Sequence, residues 1–363
     1  MNLPAGCEPR CPGCTHRMLS AVASETQKMD WLRRQLAPWA ERLSPIQHIT
    51  GDARWSYRRK ICLSTQWDET HGWNFGLWRR DELIPIPNCP VHAEPVRTLT
   101  RWLMRTLPAG VKFPLAFFVQ SGAQATLIVK TAHVPDLNWL DQARQAQLAT
   151  SELSGLWLHC HPAAGRRLFA RNGWMLLWGQ PRSRDEFGLR YGPTAFQQQI
   201  PALYQQALEA AEAFLAPEPG HSIADLYCGI GATLIRWTRR GARVIGVELS
   251  GEAVECARLN APDAVILRGK CAERIPQLRD WTPATGTRLL YVNPPRTGLE
   301  PAVLAWAAHE FRPGRLAYLS CSAGTLSRNL QAFTMAGYIV EALIPYDFFP
   351  QTRHVETLAL LRL

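Results

Sequence analysis

The chain predicts an α/β protein in which a doubly wound, Rossmann-like sheet follows an α+β domain and a short cysteine-rich arm. Three observations carry that prediction. From about residue 191, apolar strand patterns alternate with helical ones, as βαβ units require. Residues 44–190 instead string short strands between turns, with helical patterns near 95–106 and 138–154. Ahead of both, Cys7, Cys11 and Cys14 fall within eight residues.

In chain order, the arm MNLPAGCEPRCPGC leads into a helical pattern from about Ser20 to Leu43. Pro38 interrupts it, because proline lacks an N–H and clashes with the preceding turn. The segments RWSYRRKICLST, WNFGLWRR, LAFFVQS, ATLIVKT, GLWLHCHP and GWMLLWGQ follow, rich in the β-branched and aromatic residues that suit a pleated surface. The expected divisions are 1–43 for the arm and helix, 44–190 for a central α+β domain that contributes Cys89, and 191–363 for the parallel-sheet domain. A final antiparallel hairpin, YIVEALIPYD with HVETLALLRL, closes the last of these.

The parallel-sheet domain carries its chemistry at strand ends. IADLY (223–227) reads as a buried strand that runs into CGIGAT and then the helical LIRWTRRGA, ending at Gly241. Glycines between a strand and a helix let the backbone approach a ligand closely. The next strand, ARVIGVEL, ends at Glu248, about 20 residues past the glycine turn, where an acid accepts hydrogen bonds from ribose hydroxyls. The turn is only G-x-G, which disfavours NAD and FAD and favours S-adenosylmethionine. In RLLYVNPPRTGLE, two prolines end the strand Leu289–Val292 and hold Asn293 at the carboxyl edge, where such sheets bind ligands. Cys321 in YLSCSAGTL is followed 35 residues later by Glu356 in FFPQTRHVETLALLRL. A thiolate adds to an electron-poor carbon and a carboxylate removes a proton, so the pair points to covalent catalysis.

DLYCGIGAT, VNPPRTGL, SCSAGTL and FFPQTRHVE, in that order, resemble the motifs of the RNA uracil-5-methyltransferases, which make 5-methyluridine in tRNA or 23S rRNA. FQQQIP, Phe196–Pro201, is similar to that family's entrance motif. The match covers most of the chain. The resemblance implies a methyltransferase domain dependent on S-adenosylmethionine, with Cys321 as nucleophile toward uracil C6 and Glu356 as the base that takes the C5 proton. It places Gln198, Tyr227, Glu248 and Asn293 at cofactor-contact positions, Tyr227 standing where relatives commonly have phenylalanine. Arg296, or a backbone amide near Cys321, is the expected donor to the uracil oxygen. A stacked base cannot reach Cys321, so the target is expected to be flipped into the pocket. Ala232, Ile200 and Lys270 depart from the family pattern, and Asn293 replaces an aspartate, as in one rRNA-directed branch. These departures keep a non-methylating RNA-binding descendant as an alternative, beside a tRNA enzyme of the same chemistry.

Cys7, Cys11 and Cys14, with Cys89 in IPIPNCPVH, suit tetrahedral zinc or a 4Fe–4S cluster. The resemblance implies the cluster, which the rRNA-modifying branches carry. Without a separate RNA-binding barrel ahead of Cys7, the chain resembles most the branch that methylates a hairpin-loop uridine of 23S rRNA.

Forty Lys plus Arg against 30 Asp plus Glu give a net charge of +10, suited to a polyanionic partner. Tyr57 interleaves with Arg58, Arg59 and Lys60, and Trp78 precedes Arg79 and Arg80. Cations take phosphates while aromatics stack unpaired bases, so Arg58, Arg59 and Lys60 are expected to touch RNA. Ten cysteines without an export signal point to a reducing compartment, and no apolar run approaches the ~20 residues that span a bilayer. The expectation is a cytoplasmic monomer with RNA, and neither membrane nor DNA, as its partner.

Overall fold

A computed structural model describes residues 3–363, and its backbone contacts separate two compact units. The first holds the described residues up to Met18 together with Thr50–Gln199; the second holds Leu19–Ile49 and Ile200–Leu363. The N-terminal helix α1 (Ala21–Gln35) therefore belongs with the C-terminal sheet. Ser20 caps it by accepting a hydrogen bond from the Ala23 N–H at 3.1 Å, and Arg33 and Arg34 complement the dipole of its last turn. Past Leu36 the chain tightens into a 3-10 turn, Ala37–Arg42, with Pro38 near its start. Leu32, Leu36 and Ile46 are buried in the second unit's core.

The first unit is built on a seven-stranded sheet in the order β3-β2-β1-β4-β5-β6-β7. Its strands are β1 (Lys60–Asp68), β2 (Gly72–Arg79), β3 (Glu82–Pro85), β4 (Leu115–Ser121), β5 (Gln124–Val129), β6 (Gly155–Cys160) and β7 (Trp174–Gly179). All neighbours are antiparallel except β5 and β6. Helices α2 (Glu94–Thr106) and α3 (Gln142–Ala149) fill the β3–β4 and β5–β6 connections. Val96, Leu99 and Leu103, at helical spacing on α2, share a core with Phe75, Phe118 and Leu127 of the sheet. Trp73, Phe75 and Phe118 meet edge to face within it. A two-residue hairpin, β8 (Ser183–Arg184) with β9 (Arg190–Tyr191), follows.

The second unit opens with α4 (Pro201–Leu215), whose Pro201 occupies the first turn, where no N–H is needed. Then come β10 (Ser222–Leu226), α5 (Leu234–Arg239), β11 (Arg243–Glu248), α6 (Gly251–Asn260), β12 (Val265–Arg268), α7 (Ile275–Trp281) and β13 (Arg288–Val292). After these, α8 (Pro301–Ala305) runs into a π-helical turn, and β14 (Arg315–Ser320), α9 (Ala323–Met335), β15 (Ile339–Tyr346) and β16 (Glu356–Arg362) complete the unit. The sheet order is β12-β11-β10-β13-β14-β16-β15, parallel as far as β14 and antiparallel for the last two strands. Strand order reverses between β10 and β13, which is where a ligand crevice opens at the carboxyl ends. Every residue of β10 is buried, as a central strand covered on both faces requires. Lys28 of α1 donates to Asp347 Oδ1 at 2.6 Å and to the Phe349 carbonyl at 3.2 Å, tying the helix to the loop that precedes Glu356.

Candidate active site

Tyr227, Glu248 and Asn293 stand at the carboxyl ends of three adjacent strands, β10, β11 and β13. The chain leaves β10 with Tyr227 at φ +63°, and both Tyr227 and Cys228 donate backbone N–H groups to the Val247 carbonyl. Gly229 follows at φ +56°, with nothing within 4 Å of where a Cβ would stand. That clearance leaves room for a ligand against the backbone. Glu248 is fixed beside it: one carboxylate oxygen accepts from the Gly229 N–H at 3.0 Å, the other from the Ser250 N–H at 2.7 Å. A carboxylate so held keeps lone pairs for the hydroxyls of a ribose. The donor set and the clearance together fit an adenosyl cofactor. Asn293 donates its backbone N–H to the Leu226 carbonyl, and its side chain is half-buried. Gln198, the fourth expected contact, is buried in the first unit, past β9.

Below this edge lies Asp225, fully buried on β10, whose carboxylate accepts from the Trp237 indole N–H at 2.8 Å. Burial pushes its pKa up to about 7, against the pull of its hydrogen bonds from Thr233 and Trp237.

Cys321 is the first residue past β14, immediately ahead of α9. The β14–β16 ladder runs from Arg315 opposite Arg362 to Ser320 opposite Thr357, so Cys321 and Glu356 are the residues that flank its last pair. Glu356 is 5% exposed and pairs across its other edge with Tyr346. Burial raises the Cys321 thiol above its ordinary pKa, and the Glu356 carboxylate adds to the rise; the Arg296 guanidinium opposes both. Three groups named from the sequence thus share one local field.

Sequence reasoning missed the residues that hold Arg296 there. Thr325 Oγ1 on α9 donates to the Arg296 carbonyl at 3.0 Å, and Asn329 Oδ1 accepts from the Leu299 N–H and the Tyr318 hydroxyl. Gly298 stands at φ +81°, and a Cβ there would meet Thr325 Cγ2 at 2.2 Å. The glycine two residues after Arg296 was the available signal for this close approach.

The four expected metal ligands share one region of the first unit. Arg17 donates to the Cys11 and Cys14 carbonyls at 2.7 and 3.1 Å, and Gly6 comes so close to the Cys89 turn that a Cβ would meet the Asn88 carbonyl at 2.3 Å. Burial pushes the Cys14 thiol up to about 12, with Cys89, Cys11 and Cys7 adding to the rise. Four clustered thiols suit zinc or an iron–sulfur cluster by donor chemistry. Among the described residues, however, no group of three or more Cys, His, Asp or Glu stands in an arrangement that could hold a metal ion.

The basic segment is only partly open. Arg59 is exposed and pairs with Glu152 at 2.8 Å, whereas Lys60 donates to the Ala195 carbonyl at 2.8 Å and lies 4.9 Å from the Phe196 ring centroid. Burial draws the Lys60 pKa down to about 8. Trp78, Arg79 and Arg80 are exposed around the β2–β3 turn. Of the departures, Ile200 is buried just ahead of α4, Ala232 is half-buried in the glycine turn, and Lys270 pairs with Glu273 at 3.3 Å. Among the described residues no helix is long and apolar enough to cross a membrane.

A sheet of this order, with a glycine turn at its switch point and an anchored acid on the adjoining strand, fits an adenosyl cofactor, and the comparisons with known proteins make the chain a methyltransferase dependent on S-adenosylmethionine. Residues 278–363 match the family model described as tRNA (Uracil-5-)-methyltransferase. An uncharacterized RNA methyltransferase of Listeria monocytogenes is 34% identical over 394 residues, covering 99% of this chain and 83% of that protein. The 23S rRNA (uracil(1939)-C(5))-methyltransferase RlmD of Pseudomonas putida is 28% identical, covering 97% and 78%. Among solved structures, the Pyrococcus abyssi tRNA (uracil-54, C5)-methyltransferase in complex with S-adenosyl-L-homocysteine shares the fold, with a TM-score of 0.72 at 21% identity, covering 98% of this chain and 86% of that one. The chain belongs to the RNA uracil-5-methyltransferase family.

Proposed function

We propose that this enzyme methylates C5 of a uridine in 23S rRNA through a covalent bond between Cys321 and C6 of the base. The observation that supports it most is that Cys321 and Glu356 flank the last pair of the β14–β16 ladder, with Glu356 and Arg296 both acting electrostatically on the Cys321 thiol. S-adenosylmethionine, when bound, supplies an electrophilic methyl group on a sulfonium. Glu248 would hold its ribose, with Tyr227 and Asn293 completing the contacts along the same sheet edge. The Cys321 thiolate adds to C6 of the flipped uracil, and the electrons of the C5–C6 double bond move toward C5 and the C4 oxygen. Arg296, or an amide at the start of α9, donates to the charged oxygen. C5 would take the methyl group as the S–CH3 bond breaks, its electron pair staying on sulfur so that the cofactor leaves as a neutral thioether. Glu356 then removes the C5 proton, the double bond reforms, and the thiolate leaves.

Covalent trapping tests this reading. The protein and its Cys321→Ala variant are incubated with S-adenosylmethionine and 5-fluorouridine-containing 23S rRNA fragments or tRNA, and adducts are sought on a denaturing gel. Fluorine at C5 leaves Glu356 no proton to remove, so the thioether persists. An rRNA adduct absent from the variant is expected. The second reading, tRNA as the acceptor, draws on the description of the matching family model and predicts the tRNA adduct instead. If folded protein forms neither, the non-catalytic RNA-binding reading takes over.

The same proposal assigns Cys7, Cys11, Cys14 and Cys89 to a 4Fe–4S cluster that shapes the first unit and takes no part in methyl transfer. The C-x3-C-x2-C spacing with Cys89 and the electrostatic effect of the thiols on one another support it. Anaerobically purified protein is expected to be brown and Cys11→Ala to bleach it; colourless protein with stoichiometric zinc would overturn the assignment. The enzyme would work in the cytoplasm as a monomer.

A further inference from the structure

We propose that the cleft between α2, α3 and the end of β4 is a nucleotide-binding pocket that takes one unstacked, amino-bearing base of the RNA, distinct from the uridine to be methylated. The proposal rests on the reading of RNA as substrate. The cleft has a volume of about 250 Å³, somewhat below the roughly 300–1,000 Å³ of drug-sized ligand sites and of a size for a single base. Leu99, Trp102, Leu148 and Leu153 line it. The Trp102 indole N–H donates to Gln147 Oε1 at 2.7 Å, which fixes the ring as a wall against which a flat base can stack.

The floor supplies the selectivity. Gln120 is 2% exposed, and its amide N–H donates to the Gly122 carbonyl at 3.0 Å. Its Oε1 is buried without a hydrogen-bond partner among the described residues. A buried acceptor left unpaired is costly, and because Gln120 lines the cleft, a ligand donor that reached its Oε1 would relieve that cost. At the mouth, Glu94 and Glu152 add further acceptors. Adenine, cytosine and guanine carry an exocyclic amino group that donates to such a set. Uracil offers one N–H between two carbonyls, which these acceptors repel.

The same mouth carries cations. Arg97 and Arg101 bind Glu94 at 2.6 and 2.9 Å, and Arg59 binds Glu152 at 2.8 Å. Arg97 and Arg101 spend further N–H groups on Ser56, the Cys89 carbonyl, Asn88 and Thr98, whereas the exposed Arg59 guanidinium, with five donors, keeps N–H groups for a phosphate beside its pairing with Glu152. Apolar walls, a buried acceptor and a rim arginine are the three parts a nucleotide needs. The pocket would read a residue near the target and so fix where along the RNA the enzyme sits.

The test measures binding of AMP, CMP and UMP, and of the RNA hexamers A6, C6 and U6, to the full chain by calorimetry, with S-adenosylmethionine binding as the control for folding. AMP and CMP are expected to bind at least tenfold more tightly than UMP, and A6 and C6 more tightly than the matching monophosphates. Gln120→Leu should reduce AMP affinity about fivefold to tenfold, the loss of one hydrogen bond. Thr98→Trp, on the exposed side of α2 at the mouth, should block the cleft without altering the core. Equal binding of UMP and AMP overturns the proposal, as does unchanged AMP affinity in both variants while they still bind S-adenosylmethionine. AMP as tight as A6 overturns RNA as the source and leaves a free nucleotide. Loss of the fluorouridine adduct with base preference intact would sink only the methyl-transfer reading; the reverse pattern would sink only the pocket.

Discussion

Glu356 acts last in the proposed cycle, so its loss should stall the enzyme after methyl transfer. Glu356→Gln is expected to accumulate a protein–RNA adduct on unmodified RNA, visible on a denaturing gel, with turnover reduced about 10³-fold. Cys321 makes a prediction in pH. Burial and Glu356 raise its thiol pKa, so little thiolate exists at neutrality. The single-turnover rate should climb as pH rises and level off only above the usual thiol range of about 8.5. Arg296→Ala, which removes the group that lowers the pKa, should push that plateau higher still. Gly298→Ala should cost about 1–3 kcal/mol in urea denaturation, because it meets both a positive φ and the Thr325 methyl. At this scale the sequence was most legible for position, since Cys321, Glu356 and Glu248 stand at strand ends as apolar runs closed by turn signals led one to expect. It was least legible for Thr325 and Asn329, whose work is to hold a loop 29 to 30 positions away in the chain, a contact no local pattern encodes.

Between elements, two buried contacts govern how rigidly the site is held. Lys28 on α1 and Asp347 in the β15–β16 loop are both fully buried. Removing one member strands the other's charge, so Lys28→Met should cost about 3–5 kcal/mol and loosen the segment leading to Glu356. Denaturant midpoints would show the first effect and slowed adduct release the second. Asp225 joins β10 to α5 through Trp237, and its folded pKa of about 7 lies above that of an unfolded aspartate. The native state therefore holds a proton that the unfolded chain releases. Its contribution is complete below about pH 3.9 and is lost as pH rises through about 7. Relative to Asp225→Asn, wild type should lose about 2 kcal/mol between pH 5 and pH 8. Strand and helix types were readable here from apolar runs between glycine and proline signals. Ion pairs across 319 positions were not, since neither Lys28 nor Asp347 sits in a pattern that marks it as buried.

Across the whole molecule, the second unit is assembled from two stretches of chain. Residues 200–363 produced alone lack Leu32, Leu36 and Ile46 from their core and should aggregate or melt well below the same stretch co-expressed with residues 19–49, as a thermal scan would report. The alternation of strands and helices after residue 191 made the parallel sheet legible. The helix from Ser20 gave no sign of which sheet it covers, because an amphipathic pattern names a buried face and not the surface that buries it. The sheet's final turn has a further consequence. β16 follows β15 in the chain but lies between β15 and β14, so the sheet cannot be finished by adding strands to an open edge. While the polypeptide is being made, β15 can emerge and still have no place to dock until β16 has folded back upon it. The hairpin must arrive as a pair, and its arrival is also the moment when Glu356 first meets Cys321. On the proposed mechanism, a nascent enzyme carries Cys321 without Glu356 until the last large rearrangement of the sheet, and catalytic competence becomes a direct reporter of that step.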